Sequence, residues 1–323
     1  MSEDLSRLLL ELYRGSRRIE PELFQEWMFE TVNKVLPIDG GSWIAGVQMG
    51  EFPPLHSYYL YRLPEQMIRD YVEIWYQDPL RAAIEENLGE TISFTERNYR
   101  DCRDVVEFME HFAIGPVMAT LIVDPISRLR TVICLNRKPG SAPFSKEERL
   151  FKQCLTPHLI EVWTANCLSF ALKRNESSRH PAAATATAVV DERAILHVAE
   201  DYFSELLRDE WPEWQGPRLP DVLRGQLIQG ESTSYVGQKV VLARVGTIRG
   251  QTLLRVRRRS AYDRLGDREQ EIARLVSEGM SQKEIARQCG ISPATVNNHI
   301  ANIYLKLGIS DKAQLAKVLA TIS

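Results

Sequence analysis

No apolar run in this sequence reaches the ~18–20 residues needed to span a bilayer. The start, Met1-Ser-Glu-Asp-Leu5, lacks the basic stretch followed by an apolar one that marks a secretory leader. A cytoplasmic location with no membrane partner is therefore expected. Cysteine is scarce: 5 in 323 residues, at Cys102, Cys134, Cys154, Cys167 and Cys289. The number is odd and no C-x-x-C occurs, which excludes a readable disulfide framework or zinc pattern. Buried, reduced thiols are expected at all five; Cys102, in a polar stretch, is the one candidate redox sensor. His56, His111, His158, His180 and His197 show no ligand spacing, so no metal is expected. There is no phosphate loop, nucleophile elbow or defensible carboxylate pair. The expectation is no enzyme, no catalytic residue and no cofactor. A phosphoacceptor receiver would need alternating strands and helices with acidic residues at the first strand end, and these are missing too.

What is present is an uneven charge. The net charge of −3 argues against a nucleic-acid protein until the chain is divided. Residues 255–323 hold 12 Lys or Arg and 7 Asp or Glu, giving +5; the remainder holds 28 against 36, giving −8. An acidic body with a basic tail suits a sensor joined to a DNA-binding segment. The length allows two or three domains.

The basic tail holds the most informative stretch, Ser281 to His299. Ser281 and Glu284 form a capping box for a helix over 282–289. Ile285, Ala286 and Cys289 give that helix an apolar face, and Gly290 ends it. Ser292 caps a second helix with Pro293 in its first turn, over 293–307. Val296, Ile300, Ile303 and Leu307 form one buried stripe at helical period. The opposite face is slim: Ala294, Asn297, Asn298, Ala301 and Leu305. A helix entering a major groove needs small residues, and Asn can bind adenine N6 and N7 together.

Asp267-Arg-Glu-Gln-Glu-Ile-Ala, Gly279-Met-Ser-Gln-Lys-Glu-Ile-Ala286, Ser292-Pro-Ala-Thr-Val-Asn-Asn-His299 and Ile303-Tyr-Leu-Lys-Leu-Gly-Ile309 together resemble the LuxR-type (GerE-like) helix-turn-helix domain of bacterial transcription regulators. The resemblance covers about residues 262–322. It implies four helices, the third reading double-stranded DNA and the fourth helping to form a homodimer. By the same likeness Asn297, Asn298 and Ala301 face bases, while Lys283, Thr295, His299 and Lys306 also fall among the DNA-binding positions, the last three near phosphates. Two departures stand out. Gly266-Asp267 replaces the usual Thr-Pro, and Asn297 stands where Lys is common, which changes what DNA sequence would be read. A final helix capped by Ser310 is expected to run to about Ile322, with Ala313, Ala316 and Leu319-Ala320 as the dimer surface.

In the first segment, helices are expected over Leu5–Tyr13 and Ile19–Leu36, the second with Phe24, Trp27, Met28, Thr31 and Val35 on or near one face and broken by Gly40-Gly41. Strands are expected over Ser42–Gln48 and Leu55–Arg62, then helices over Pro64–Trp75, from Asp78-Pro79, and over Arg103–His111. Val117–Val123 and Leu129–Leu135 read as a hairpin, followed by a long helix to Arg174 opened by a Ser145–Glu148 capping box. This is an α+β order with an antiparallel sheet. It resembles GAF-type sensor domains. The run Pro64…Tyr71…Tyr76-Gln-Asp78-Pro79 faintly resembles the autoinducer-binding domain of acyl-homoserine-lactone receptors, with Met67 in place of the usual Trp. That likeness makes Tyr71, Trp75 and Asp78 ligand-binding candidates. Read from the residues alone, the same aromatics are core and Asp78 is the cap of the helix after Pro79.

Residues 175–189, small and polar, read as a linker. Residues 190–259 resemble a PAS-like module: a helix over Ala194–Arg208, another over Leu219–Ile228, and strands over Gln238–Arg244 and Gln251–Val256, with Gly246 and Gly250 around their turn. Arg255, Arg257, Arg258 and Arg259 read equally as phosphate contacts or as a wetted strand end. The expected layout is thus 1–174 GAF-like sensor, 175–189 linker, 190–259 PAS-like segment and 260–323 DNA-binding domain. The expected protein is a sequence-specific transcription regulator whose N-terminal region senses a signal that the sequence does not identify, with a small-molecule effector and RNA polymerase as candidate partners. The alternative is a protein-interaction regulator whose C-terminal bundle docks on another regulator or on polymerase.

Overall fold

The computed structural model describes residues 2–46, 55–174, 185–248 and 251–320. They fall into two compact units, one of residues 1–174 with 189–199 and 215–219, the other of 175–188 with 200–214 and 220–323.

The first segment opens with α1 (Ser2–Gly15) and α2 (Pro21–Asn33). Phe24, Met28, Phe29, Thr31 and Val32 are buried on α2. The helix expected over 19–36 is shorter: Val35 lies past its end and is 41% exposed. Nor do Gly40 and Gly41 break a helix; they begin β1 (Gly40–Gly46), where Gly41 pairs with Leu135. A Cβ at Gly41 would come within 2.8 Å of the Phe29 ring, so close packing selects glycine here. Then come β2 (Leu55–Tyr61), α3 (Gln66–Ile74), a 3-10 turn Trp75–Gln77, α4 (Pro79–Glu86), β3 (Thr91–Phe94), α5 (Arg103–His111), β4 (Val117–Val123), β5 (Arg130–Asn136) and α6 (Lys146–Arg174). The β4–β5 hairpin and the Ser145–Glu148 capping box are as expected. Strand order is β2-β1-β5-β4-β3, antiparallel throughout.

Alternation along the strands divides two packed faces. Trp43, Met118, Ile133 and Leu135 join a core with α1, α2 and α6 through Leu12, Phe24, Met28, Leu155 and Val162. Val117, Ala119 and Leu121 face the other way, toward Leu80, Ile84, Tyr99, Val105 and Met109 of the α4–α5 region. Lys152 of α6 is fully buried on the first face, and its Nζ donates to Thr120 Oγ1 at 2.6 Å. Burial pushes that ammonium down to about 7.

A second antiparallel sheet follows, built from β6 (Thr185–Val190), β7 (Leu196–Ala199), β8 (Ser234–Val236), β9 (Val240–Ile248) and β10 (Gln251–Arg258) in the order β7-β6-β10-β9-β8. Between β7 and β8 lie α7 (Asp201–Glu210) and α8 (Asp221–Leu223), which runs on as a π turn over Arg224–Ile228. The α+β architecture expected for both sensor segments is present. Two details differ. Residues 185–189, read as linker, are strand; 175–184 and Gly250 lie outside the described residues. The helix expected over 194–208 is a strand and then a helix, because Ala194 takes a left-handed φ of 63° and Leu196 and Val198 point inward while His197 and Ala199 do not.

The last segment is all helical: α9 (Asp267–Ser277), α10 (Gln282–Cys289), α11 (Pro293–Leu307) and α12 (Lys312–Ala320). Leu265, Ile272, Leu275, Ile285, Val296, Ile303 and Leu315 form its core. Among the described residues no helix is long and apolar enough to cross a membrane, and no group of His, Cys, Asp or Glu could hold a metal ion. None of the five cysteines forms a disulfide; Cys154 is exposed and the other four are partly buried, so full burial holds for none.

Candidate nucleic-acid interface and ligand pocket

The helix-turn-helix is built by local chemistry. Ser281 Oγ accepts from Glu284 N, and Glu284 Oε2 accepts from Ser281 N at 2.8 Å, closing the capping box. Gly290 ends α10 at φ 66°, a left-handed position that costs other residues strain. Ser292 Oγ accepts from Thr295 N at 3.1 Å, and Pro293 sits where no donor is needed. Gly308 ends α11 at φ 67°. Val296 and Ile303 are fully buried, and Ile300 and Leu307 pack beside them. The opposite face leaves Asn297, Asn298, Ala301 and Asn302 exposed and Leu305 82% exposed.

The expected contact residues are not equivalent. The Asn298 side chain is exposed. Asn297 Oδ1 accepts from Gln282 Nε2 at 3.1 Å, so the first residue of α10 orients the amide. Gln282 was not singled out in the sequence; its place directly after the Ser281 cap, facing the next helix, was the available signal. Asn302, one turn after Asn298, was likewise missed although i,i+4 spacing marks it. Lys283 is exposed and Thr295 and His299 are half-buried. Lys306 is committed within the fold. Its Nζ lies 2.8 and 2.7 Å from the two Glu269 oxygens, which ties α11 to α9. Lys306, with Gly266 N–H, holds the Glu269 carboxyl below the usual range. The basic strand end is committed too. Arg257 forms a two-pronged bond to Asp263 at 2.7 and 2.6 Å, Arg258 pairs with Asp209, and Arg259 donates to Gly237 O. Three of the four arginines of that run are thus held by partners within the fold.

The final helix differs from expectation at its start. Asp311, not Ser310, is the cap: its Oδ1 accepts from Gln314 N at 2.8 Å, while Gln314 Oε1 accepts from Ser310 N. Ala313 and Ala316 are exposed and Leu319 is half-buried against the core.

A cavity of about 180 Å³ opens on the second face of the first sheet, under α3, α4 and α5. Tyr71, Trp75 and Asp78 all line it. Tyr71 OH donates to Asp78 Oδ2 at 2.6 Å, and Asp78 Oδ1 accepts from Leu80 N at 2.8 Å. Asp78 is therefore the cap of α4, as the residues alone suggested, and also a pocket residue. Its carboxyl sits above the ordinary value because burial outweighs those hydrogen bonds. The Tyr71 phenol is pushed well up by burial and by Asp78 beside it. Three charged wall residues escaped the sequence reading: Arg81, Glu85 and Arg130. Arg81 and Glu85 carry a visible i,i+4 spacing, but Arg130 arrives from β5, and no local pattern announces it.

Residues 263–319 match the family model of bacterial regulatory proteins, luxR family. The transcriptional regulatory protein UhpA of Escherichia coli (strain K12) is 46% identical over 55 residues, which are 17% of this chain and 28% of UhpA. The chain spans between 5% and 28% of the length of curated relatives such as these. Among solved structures, Escherichia coli SdiA is similar over 97% of this chain and 95% of its own, at 15% identity and a TM-score of 0.40. The phycoerythrobilin-bound GAF domain of a cyanobacterial phytochrome is similar over 51% of this chain and 97% of its own, at 11% identity and a TM-score of 0.35. The matched model, together with the caps, left-handed glycines and buried stripe, makes residues 263–319 a LuxR-type helix-turn-helix domain, of the type found in bacterial transcription regulators.

Proposed function

We propose that the chain is a transcription regulator that binds duplex DNA through α11 and responds to a small molecule held under α3–α5. The observation that carries the first half is the exposed amide face of α11, set on a capped helix pair with its apolar side buried. Asn297 and Asn298 then read bases, with Gln282 positioning the first amide. Lys283, Thr295 and His299 lie near phosphates, and Lys306 joins them only by leaving Glu269. The exposed Ala313–Ala316 side of α12 serves a homodimer whose half-sites fall about one helical turn, roughly 34–36 Å, apart. The sensing half rests on the cavity and its few convergent polar groups. Ligand binding shifts an existing balance between DNA-competent and incompetent states.

The test uses the full chain. Fluorescence anisotropy on random duplexes at low salt, followed by selection of bound sequences, is expected to return a two-fold-symmetric site. Asn297→Ala should cost about 1–3 kcal/mol on that site and relax one base pair in each half. Unchanged selectivity would place the reading face elsewhere.

A further inference from the structure

The cavity of the first sheet carries more chemistry than a generic apolar hole. Its walls are largely aromatic and aliphatic, with Trp75, Phe108 and Met109 among them. One corner is different. The Arg81 guanidinium lies over the Trp75 ring, its Cζ 4.7 Å from the centroid. Arg81 Nη1 donates to Glu85 Oε2 at 2.8 Å, and the other oxygen of the same carboxylate accepts from Arg130 Nη2 at 3.0 Å. Two guanidiniums from separate elements thus share one carboxylate on the pocket wall. Arg81 Nε is buried and has no partner.

An orphaned buried donor is destabilising, and a charged acceptor relieves that cost most effectively. The planar guanidinium offers its N–H groups in a fork that a carboxylate matches with two bonds. Asp78, an acceptor that also lines the cavity, already has a donor on each oxygen. It takes Tyr71 OH on one oxygen and Leu80 N–H on the other. Arg81 Nε is thus a donor with no hydrogen-bond partner, whereas both Asp78 oxygens already have one. A ligand giving an N–H to Asp78 would share oxygens that already cap α4 and hold Tyr71, whereas one bringing an oxygen anion finds a donor with no partner.

Resting on the sensing role proposed for this cavity, we infer that its ligand is a small amphipathic carboxylate, the apolar body against Trp75, Phe108 and Met109 and the carboxylate on Arg81 beside Glu85. Glu85 is then the ligand's resident competitor. Its charge holds Arg81 and Arg130 in place in the empty pocket and opposes the incoming anion.

Isothermal titration of the full-length protein with phenylbutyrate and octanoate, each beside its own primary amide, tests this. The acids are expected to bind at least about tenfold tighter than the amides, the difference of a charge-assisted pair. Arg81→Met should erase that preference and leave the amides unchanged, and Arg81→Lys should restore part of it. Glu85→Gln should tighten the acids several-fold without affecting the amides, a gain that misfolding cannot imitate. Amides binding as well as acids, or Glu85→Gln leaving the acids unchanged, would overturn the anion while the sensing role stands. Mass spectrometry of molecules released from the purified protein separates the two ideas further. A neutral compound would overturn the carboxylate alone. An empty extract together with no binding of any of the four probes would overturn both.

Discussion

The two sheets of this protein share one strand order. Numbered from its own first strand, each runs second, first, fifth, fourth, third: β2-β1-β5-β4-β3 and β7-β6-β10-β9-β8. They differ in what joins the third strand to the fourth. In the first sheet the connection is residues 95–116, which carry α5; in the second it is residues 237–239, a tight turn. That turn is fastened by Glu210 at the end of α7, which accepts from the backbone N–H groups of Gln238, Lys239 and Val240. The long connection lets α5 stand off the sheet and roof a cavity. Beside the short one, Phe203, Leu206, Leu207, Val240, Leu242 and Val256 are all fully buried. The roof is shared with α3 and α4, which join the second strand to the third, so the common strand order leaves room for different coverings on the two sheets.

The sharpest test of this contrast is a pair of truncations. Phe203→Ala should cost about 3–5 kcal/mol, because it empties a packed site. Phe108→Ala, at a wall that already borders space, should cost about half as much or less. Urea unfolding reads both, and equal losses would mean that the first sheet is as tightly packed as the second.

A smaller effect comes from Lys152. Its folded value of about 7 lies below the ordinary lysine value of 10.5, so the unfolded chain binds more protons between those two points. This group's contribution makes stability rise with pH across that window, and the full penalty is present below about 7. Lys152→Met should therefore stabilise by a few kcal/mol near pH 6 and by progressively less toward pH 10, measured as the difference in unfolding free energy. A gain independent of pH would show that the amine keeps its charge in the fold.

Glu210→Ala should have the least effect, about 1–2 kcal/mol, since the three N–H groups it serves lie near solvent. Hydrogen exchange at Gln238, Lys239 and Val240 should speed up while exchange in β10 stays slow. If β10 loosens as well, the turn is holding the whole sheet.

Legibility in the sequence followed the range of the forces. The α10–α11 pair was readable to the residue because its caps, glycines and apolar stripe all act within a few positions. The β4–β5 hairpin and the Ser145 box were readable for the same reason. β6 was not: Thr185-Ala-Thr-Ala-Val-Val190 is composed of small residues, and five of its six are buried, so it shows neither bulk nor alternation. β3 and β8, at 4 and 3 residues, are too short to show a period. In the pocket, Tyr71 and Asp78 are joined by local spacing, whereas the Arg81–Glu85–Arg130 cluster depends on β5 returning to α4.

The carboxylate partners of the basic tail carry a last consequence. Arg257, Arg258, Arg268, Arg274 and Lys306 each sit on an acidic side chain. A cation already neutralised inside the protein releases no counterion when DNA arrives, unless it first breaks its own pair. The logarithm of affinity should therefore fall with the logarithm of salt concentration less steeply than the tail's formal charge implies.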